Sequence, residues 1–234
     1  MQVTQPPWEL VVFDMAGTIF SDDGLVGAAF RGGLVAAGVA GDAALDDAMA
    51  TFARNRGRSK LDAFREILPD EAARRANVAF ERRYEELLHA HGVTAFPGIE
   101  ALFDRLRGAG VRVALTTGFA PATRQVILDA LGWRDAVDLA VSPGDAGRGR
   151  PYPDMILTAV LELGVTDMHA VAVVGDTRAD LVAGWRSGAG VVAGVTTGAD
   201  DRSVLQAAPH THILDSAVDI ESLVGTGLTS YARR

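Results

Sequence analysis

Glu9-Leu10-Val11-Val12-Phe13-Asp14-Met15-Ala16-Gly17-Thr18 passes from a continuous apolar run to a polar turn at Asp14. An apolar run this short, with turn residues behind it, predicts a strand buried on both faces, with Asp14 at its carboxyl end and Gly17 letting the chain turn. Comparable runs recur at Val111 to Thr116, Ala136 to Val141, Ala170 to Val174 and Gly190 to Val195, and a last short one at His212 to Leu214. Helical-period segments separate them. This alternation predicts an α/β fold, a Rossmann-like, doubly wound parallel sheet with helices on both faces. In such sheets ligands sit beyond the carboxyl ends of the strands, where Asp14 is expected.

One stretch breaks the alternation. From Asp22 to Phe96 the chain is rich in Ala, Leu, Arg and Glu, and it holds amphipathic segments without a convincing strand run. It reads as a helical insert, closed by the turn signal Phe96-Pro97-Gly98 ahead of a helix from Ile99 to Gly108. The expected organisation is a catalytic core of 1–21 and 97–234 with a helical domain of 22–96.

Composition narrows the function. The 234 residues are 48% apolar and carry a net charge of −8, with no long basic run, which argues for a small-molecule substrate and against nucleic acid. The absence of cysteine removes thiol nucleophiles, disulfides and Cys-based zinc sites. No run approaches the ~20 apolar residues of a membrane span, and no charged leader precedes an apolar stretch, so a soluble cytoplasmic protein is expected. Among the 22 Lys and Arg residues Lys60 is the only lysine. Arginine can replace it as a cation but cannot form an imine with a carbonyl.

Four segments carry complementary polar groups: Asp14-Met15-Ala16-Gly17-Thr18, Thr116-Thr117-Gly118, Arg150-Pro151-Tyr152-Pro153, and Gly175-Asp176-Thr177-Arg178-Ala179-Asp180. Each follows an apolar run or opens a helix, so the fold gathers them into one crevice. A phosphoryl group repels an anionic nucleophile, and Asp14 can attack one only if a metal and fixed donors offset that repulsion. Asp176 and Asp180, one helical turn apart, are the expected metal ligands, and their hard oxygens suit Mg²⁺. Thr116 is expected to donate to a phosphoryl oxygen, and Arg150 to stabilise the nucleophile and the transferring group. Gly17, Thr18, Thr117 and Gly118 are expected to bind substrate beside them. Asp14 would carry a covalent aspartyl-phosphate that water hydrolyses. Taken singly, each has a plainer reading, Asp14 as a turn residue and Asp176 and Asp180 as a helix cap and a solvated charge.

In this order, the motifs between Val11 and about Gly188 resemble the haloacid dehalogenase superfamily, with a C1-type helical cap inserted after the first motif. The resemblance implies that Asp14 is the nucleophile, that the backbone carbonyl of Ala16 joins Asp14, Asp176 and Asp180 around Mg²⁺, and that a homodimer forms through the cap. Ordinary phosphatases of the superfamily place a second aspartate where this chain has Ala16, to protonate a leaving alkoxide. Phosphonatase-like members resemble this chain in having Ala there and in the run Gly149-Arg150-Pro151-Tyr152-Pro153. A C–P bond can break without that acid when the carbanion is delocalised into a neighbouring imine.

The same resemblance places the imine lysine in a Gly-X-X-Lys-X-Asp pattern, matched by Gly57-Arg58-Ser59-Lys60-Leu61-Asp62. Arg56 and Arg58 would keep Lys60 neutral by like-charge repulsion. Two positions depart from the pattern: Ala63 stands where these proteins have a histidine, taken as the proton shuttle, and Arg56 where they have methionine. The expected substrate is phosphonoacetaldehyde or a close relative. The alternatives are a phosphatase acting on a small phosphomonoester of the phosphoglycolate type, for which Lys60→Arg would be tolerated, and a noncatalytic protein that binds ligand without turnover. His89, His91, His169, His210 and His212 receive no role, the last two being read as strand and loop packing. Trp8, Phe119, Tyr152 and Trp185 are expected in the core or cleft wall, with Phe119 and Tyr152 near substrate.

Overall fold

The structure, a computed structural model, describes residues 8–21 and 23–223. Asp22, the first residue of the expected insert, and the outer ends of the expected core, 1–7 and 224–234, lie outside the described residues.

β1 (Leu10–Asp14) is buried along its whole length. Alternate side chains serve two cores: Val11 and Phe13 pack on one face of the sheet and Leu10 and Val12 on the other. A two-residue strand β2 (Phe20–Ser21) follows, and four helices come next: α1 (Leu25–Ala36), α2 (Asp42–Arg54), α3 (Lys60–Arg65) and α4 (Asp70–His91). The chain then returns through β3 (Thr94–Ala95), which pairs antiparallel with β2. The range expected to be wholly helical therefore ends in a strand. Two residues are too few to leave a periodicity in sequence, and they matter only as the neck from which the helices project.

The remaining chain alternates as α5 (Ile99–Gly108), β4 (Arg112–Thr116), α6 (Pro121–Leu131), β5 (Leu139–Val141), α7 (Pro143–Ala146), α8 (Asp154–Glu162), β6 (Val171–Gly175), α9 (Arg178–Ser187), β7 (Val191–Val195), α10 (Arg202–Gln206) and β8 (His212–Leu214). The main sheet has the order β5-β4-β1-β6-β7-β8, parallel throughout. The chain winds outward from β1 to β5, then crosses back to the other side of β1, which creates a switch point at the end of that strand. β5 is shorter than the run from Ala136 suggested. At the sheet edge Asp138 instead turns its carboxylate onto the backbone N–H of Val113 (2.7 Å).

Helix α4 explains how the insertion holds together. Ala73, Ala76, Phe80, Tyr84, Leu87 and Leu88 repeat at three- and four-residue spacing and are buried along one stripe. Against that stripe Phe30 stacks between Phe52 and Phe64, both at 3.9 Å between ring centroids. Phe119, from the loop after β4, enters the same cluster from the sheet, 4.5 Å from Tyr84 and 5.9 Å from Phe80. Each such ring contributes roughly 1.5–3 kcal/mol by burial. The insertion and the sheet thus share one apolar core.

Candidate active site

Strand register assembles the acidic groups. Asp14 lies opposite Thr116 on β4, and Phe13 lies opposite Val174 on β6, so Asp176 emerges just past the sheet beside Asp14. Asp14, Asp176 and Asp180 are all buried, and oxygens from the three lie within 4.8 Å of one another. Arg150, also buried, donates from Nη1 to Asp14 Oδ1 (2.5 Å) and to Asp180 Oδ1. The Thr18 hydroxyl is within hydrogen-bond reach of Asp14 Oδ2 (3.3 Å) and Asp176 Oδ1 (3.1 Å).

Three buried carboxylates against one guanidinium leave an excess of negative charge. Asp176 relieves it by keeping its proton: burial, and next the charge of Asp14, push its carboxyl up to about 8, although the Ala199 N–H and Thr18 act the other way. The Ala199 N–H bond to Asp176 Oδ2 measures 2.7 Å. A site of hard oxygens with uncompensated negative charge fits a divalent cation of the Mg²⁺ type. Gly17 makes this packing feasible. Its φ is +92°, and a Cβ there would stand 2.5 Å from Asp176 Oδ2.

Asp180 combines two readings that the sequence presented as rivals. It completes a capping box at the start of α9, accepting the Thr177 N–H (3.1 Å) and the Thr177 hydroxyl at Oδ2, while Thr177 Oγ1 accepts the Asp180 N–H (3.4 Å). Its other oxygen receives Arg150. The helix cap therefore orients the guanidinium that meets Asp14. Asp180 is a buried group, not the solvated helix charge of the plainer reading.

A cavity of about 330 Å³ opens over Asp14. Among the anticipated residues Asp14, Ala16, Gly17, Lys60, Thr117, Gly118, Arg150 and Asp176 line it, whereas Thr18, Thr116 and Asp180 stand behind its wall. Lys60 arrives because Ser59 caps α3, accepting the Asp62 N–H at 3.1 Å and donating to the Asp62 carboxylate at 2.7 Å. Asp62 in the Gly-X-X-Lys-X-Asp run thus has a local role, fixing the helix that Lys60 begins. The Lys60 backbone N–H donates to Gly118 O (3.2 Å), and its Nζ stands 5.1 Å from the Phe119 ring centroid. The approach is close: a Cβ on Gly118 would lie 2.5 Å from the carbonyl oxygen of Arg58.

The sequence reading missed Thr197, Gly198 and Ala199, which follow β7 and line the cavity. The signal was present in the strand ending at Val195 and the polar turn behind it, because neighbouring parallel strands deliver their loops to the same edge. Two aromatic assignments need correction. Trp8 and Phe119 are buried, but Tyr152 and Trp185 are 44% and 50% exposed. Tyr152 is held outside by Arg148 and Arg186, whose guanidinium carbons lie 4.4 and 5.8 Å from its ring centroid. Trp185 occupies the outer face of α9, whose inward face is Leu181, Ala183 and Gly184. Of the two arginines expected to act on Lys60, Arg58 is engaged by Glu66 (2.9 Å) and Asn55 (2.8 Å). His210 and His212 bond locally, to Ala208 O and Thr211 Oγ1. No helix among the described residues is long and apolar enough to cross a membrane.

Phosphonoacetaldehyde hydrolase of Bacillus cereus (strain AH187) is 31% identical over 134 residues, 55% of this chain and 50% of that protein, so the chain spans about half the length of that relative. Probable phosphatase IndB of Dickeya dadantii (strain 3937) is 28% identical over 222 residues, 90% of this chain and 91% of that protein. A phosphonoacetaldehyde hydrolase like protein from Oleispira antarctica shares the fold, with a TM-score of 0.80 at 22% identity, covering 94% of this chain and 92% of that one. A family model described as haloacid dehalogenase-like hydrolase matches residues 8–188. The chain, a hydrolase, belongs to the haloacid dehalogenase-like family.

Proposed function

We propose that this hydrolase is phosphonatase-like: Asp14 takes a phosphoryl group from phosphonoacetaldehyde or a close relative and passes it to water. In this reading residues 22–96 form the cap over a core of 1–21 and 97–234. The observation that carries it is that Lys60 and Asp14 line one cavity, in which Ala16 supplies no acid for an alkoxide. Lys60 attacks the aldehyde carbon and expels water to form an imine. Asp14 attacks phosphorus, the C–P bond breaks, and its electron pair moves into the imine to give an enamine, which is then protonated at carbon and hydrolysed from Lys60. Water cleaves the aspartyl-phosphate and releases phosphate.

Arg150 holds the Asp14 carboxylate in place and offsets charge on the transferring group, while Thr117, Gly118 and Gly17 frame the phosphoryl oxygens; behind the wall Thr18 links Asp14 to Asp176, and Thr116, paired in register with Asp14, is the donor brought to the phosphoryl group when substrate binds. Mg²⁺, held by Asp14, Asp176, Asp180 and the Ala16 carbonyl, would supply charge neutralisation between nucleophile and phosphoryl group. Phe119, wedged against Phe80 and Tyr84, closes the cavity floor and excludes water.

Phosphate release from phosphonoacetaldehyde with Mg²⁺, run with and without borohydride, tests this reading. Release that borohydride abolishes, with the reduced adduct mapped to Lys60, is expected; no release and no adduct would defeat it. A second reading, phosphomonoester hydrolysis, draws on the likeness to the probable phosphatase over nine-tenths of both chains. It expects Lys60→Arg to retain activity on phosphate esters.

A further inference from the structure

Imine formation at Lys60 needs a group that takes the ammonium proton and later returns one to the departing hydroxyl. Ala63, one turn along α3, is a buried methyl and can do neither. Helix α4, behind Phe119, carries a candidate. Glu81 lies on α4 between Phe80 and Tyr84, the two rings that clasp Phe119, over which the Lys60 amine sits. Its Oε1 accepts the backbone N–H of Ala120 (3.3 Å), the residue after Phe119. Its Oε2 is shielded from solvent and has no hydrogen-bond partner among the described residues, while the Thr123 hydroxyl lies near enough to the carboxyl to favour its charged form. A buried carboxylate oxygen left unpaired is costly and calls for a reason.

We propose that Glu81 is the proton partner of Lys60, accepting the ammonium proton to free the amine and returning a proton as the carbinolamine loses water. The inference rests on the imine reading above. Glu81 does not line the cavity, so it acts through Lys60 as a positioning and proton-exchanging residue. Burial favours the neutral carboxyl of Glu81, and the Thr123 hydroxyl, the Ala120 N–H and the charge of Lys60 act the other way, which places Lys60 within electrostatic reach of this carboxyl. Glu85, whose carboxylate accepts the Thr123 hydroxyl (3.0 Å), is the other charge acting on Glu81, and it also favours the neutral form. No atom is lost in the exchange: the proton leaves nitrogen for Glu81 Oε2 and departs again in the water expelled from the carbinolamine.

Because Lys60 is the chain's only lysine, protein labelled with ¹³C and ¹⁵N lysine gives a single side-chain signal. In the wild-type protein that signal is expected to titrate in two steps, one belonging to the carboxyl of Glu81. Glu81→Gln should remove the lower step and bring the Lys60 midpoint down by about one pH unit or more, since an anion no longer favours the ammonium. Glu81→Asp should restore part of it. Glu81→Gln should also slow borohydride trapping of phosphonoacetaldehyde about tenfold or more even as the free-amine fraction rises. A one-step wild-type titration, or one that Glu81→Gln leaves unchanged, would overturn the proposal and reduce Glu81 to an acceptor for the Ala120 N–H. An absent wild-type adduct would instead count against the imine reading, while the titration still decides the coupling of Glu81 to Lys60.

Discussion

Asp176 carries two opposing demands: it must be buried to stand beside Asp14, and burial beside Asp14 penalises its charge. Its carboxyl ordinarily titrates near 3.9 in an unfolded chain, but stands at about 8 in the fold. The folded protein therefore holds a proton that the unfolded chain has released. In metal-free protein this group contributes fully below about pH 4, and stability declines as pH rises toward about 8, by up to ~1.4 kcal/mol per pH unit. A bound divalent cation would replace the proton and cancel the loss. Melting in chelator is expected to fall between pH 5 and 8, with Mg²⁺ raising Tm strongly at pH 8 and little at pH 5. Equal Mg²⁺ effects at both values would contradict this account. The residue identities around Asp14 were legible in sequence because spacing and strand ends predicted them. Glu81 was not, since a glutamate in a helix full of Arg and Glu carries no local mark of burial.

At the scale of elements, the junction between insertion and sheet rests on Phe119. Its ring, 1% exposed, packs against Phe80 and Tyr84 and underlies the Lys60 amine. Phe119→Ala is expected to cost about 3–5 kcal/mol, read by urea denaturation, because the cavity it leaves has rigid walls. It should also raise KM, as Lys60 loses the surface beneath it. Unchanged stability would mean that the two units meet only weakly. The parallel strands were legible as apolar runs, and Phe96-Pro97-Gly98 marked the end of the insertion. The neck strands β2 and β3 were not, because their pairing connects Phe20 with Ala95, a long-range match with no local periodicity. Tyr152 and Trp185 were misjudged for a related reason: aromatic character predicts burial on average, but the outward faces of these elements follow from packing that sequence does not display.

For the whole molecule, the sheet order brings the loops after β1, β4, β6 and β7 to one edge, and the helices between β2 and β3 cover that edge. The site converges on Asp14: Arg150 holds it, Thr18 links it to Asp176, and Lys60 lines the same cavity. Asp14→Asn preserves the shape while removing the nucleophile, and should lower phosphate release on the order of 10⁴-fold or more with little change in Tm. The most direct measurement is rapid acid quench of the enzyme during turnover of phosphonoacetaldehyde with Mg²⁺, followed by mass spectrometry of the peptide that contains Asp14. The account predicts a phosphoryl group on Asp14 that hydroxylamine removes and that is absent from Asp14→Asn. Turnover with Asp14 unmodified at every quench time, and an Asp14→Asn variant that still releases phosphate, would contradict it.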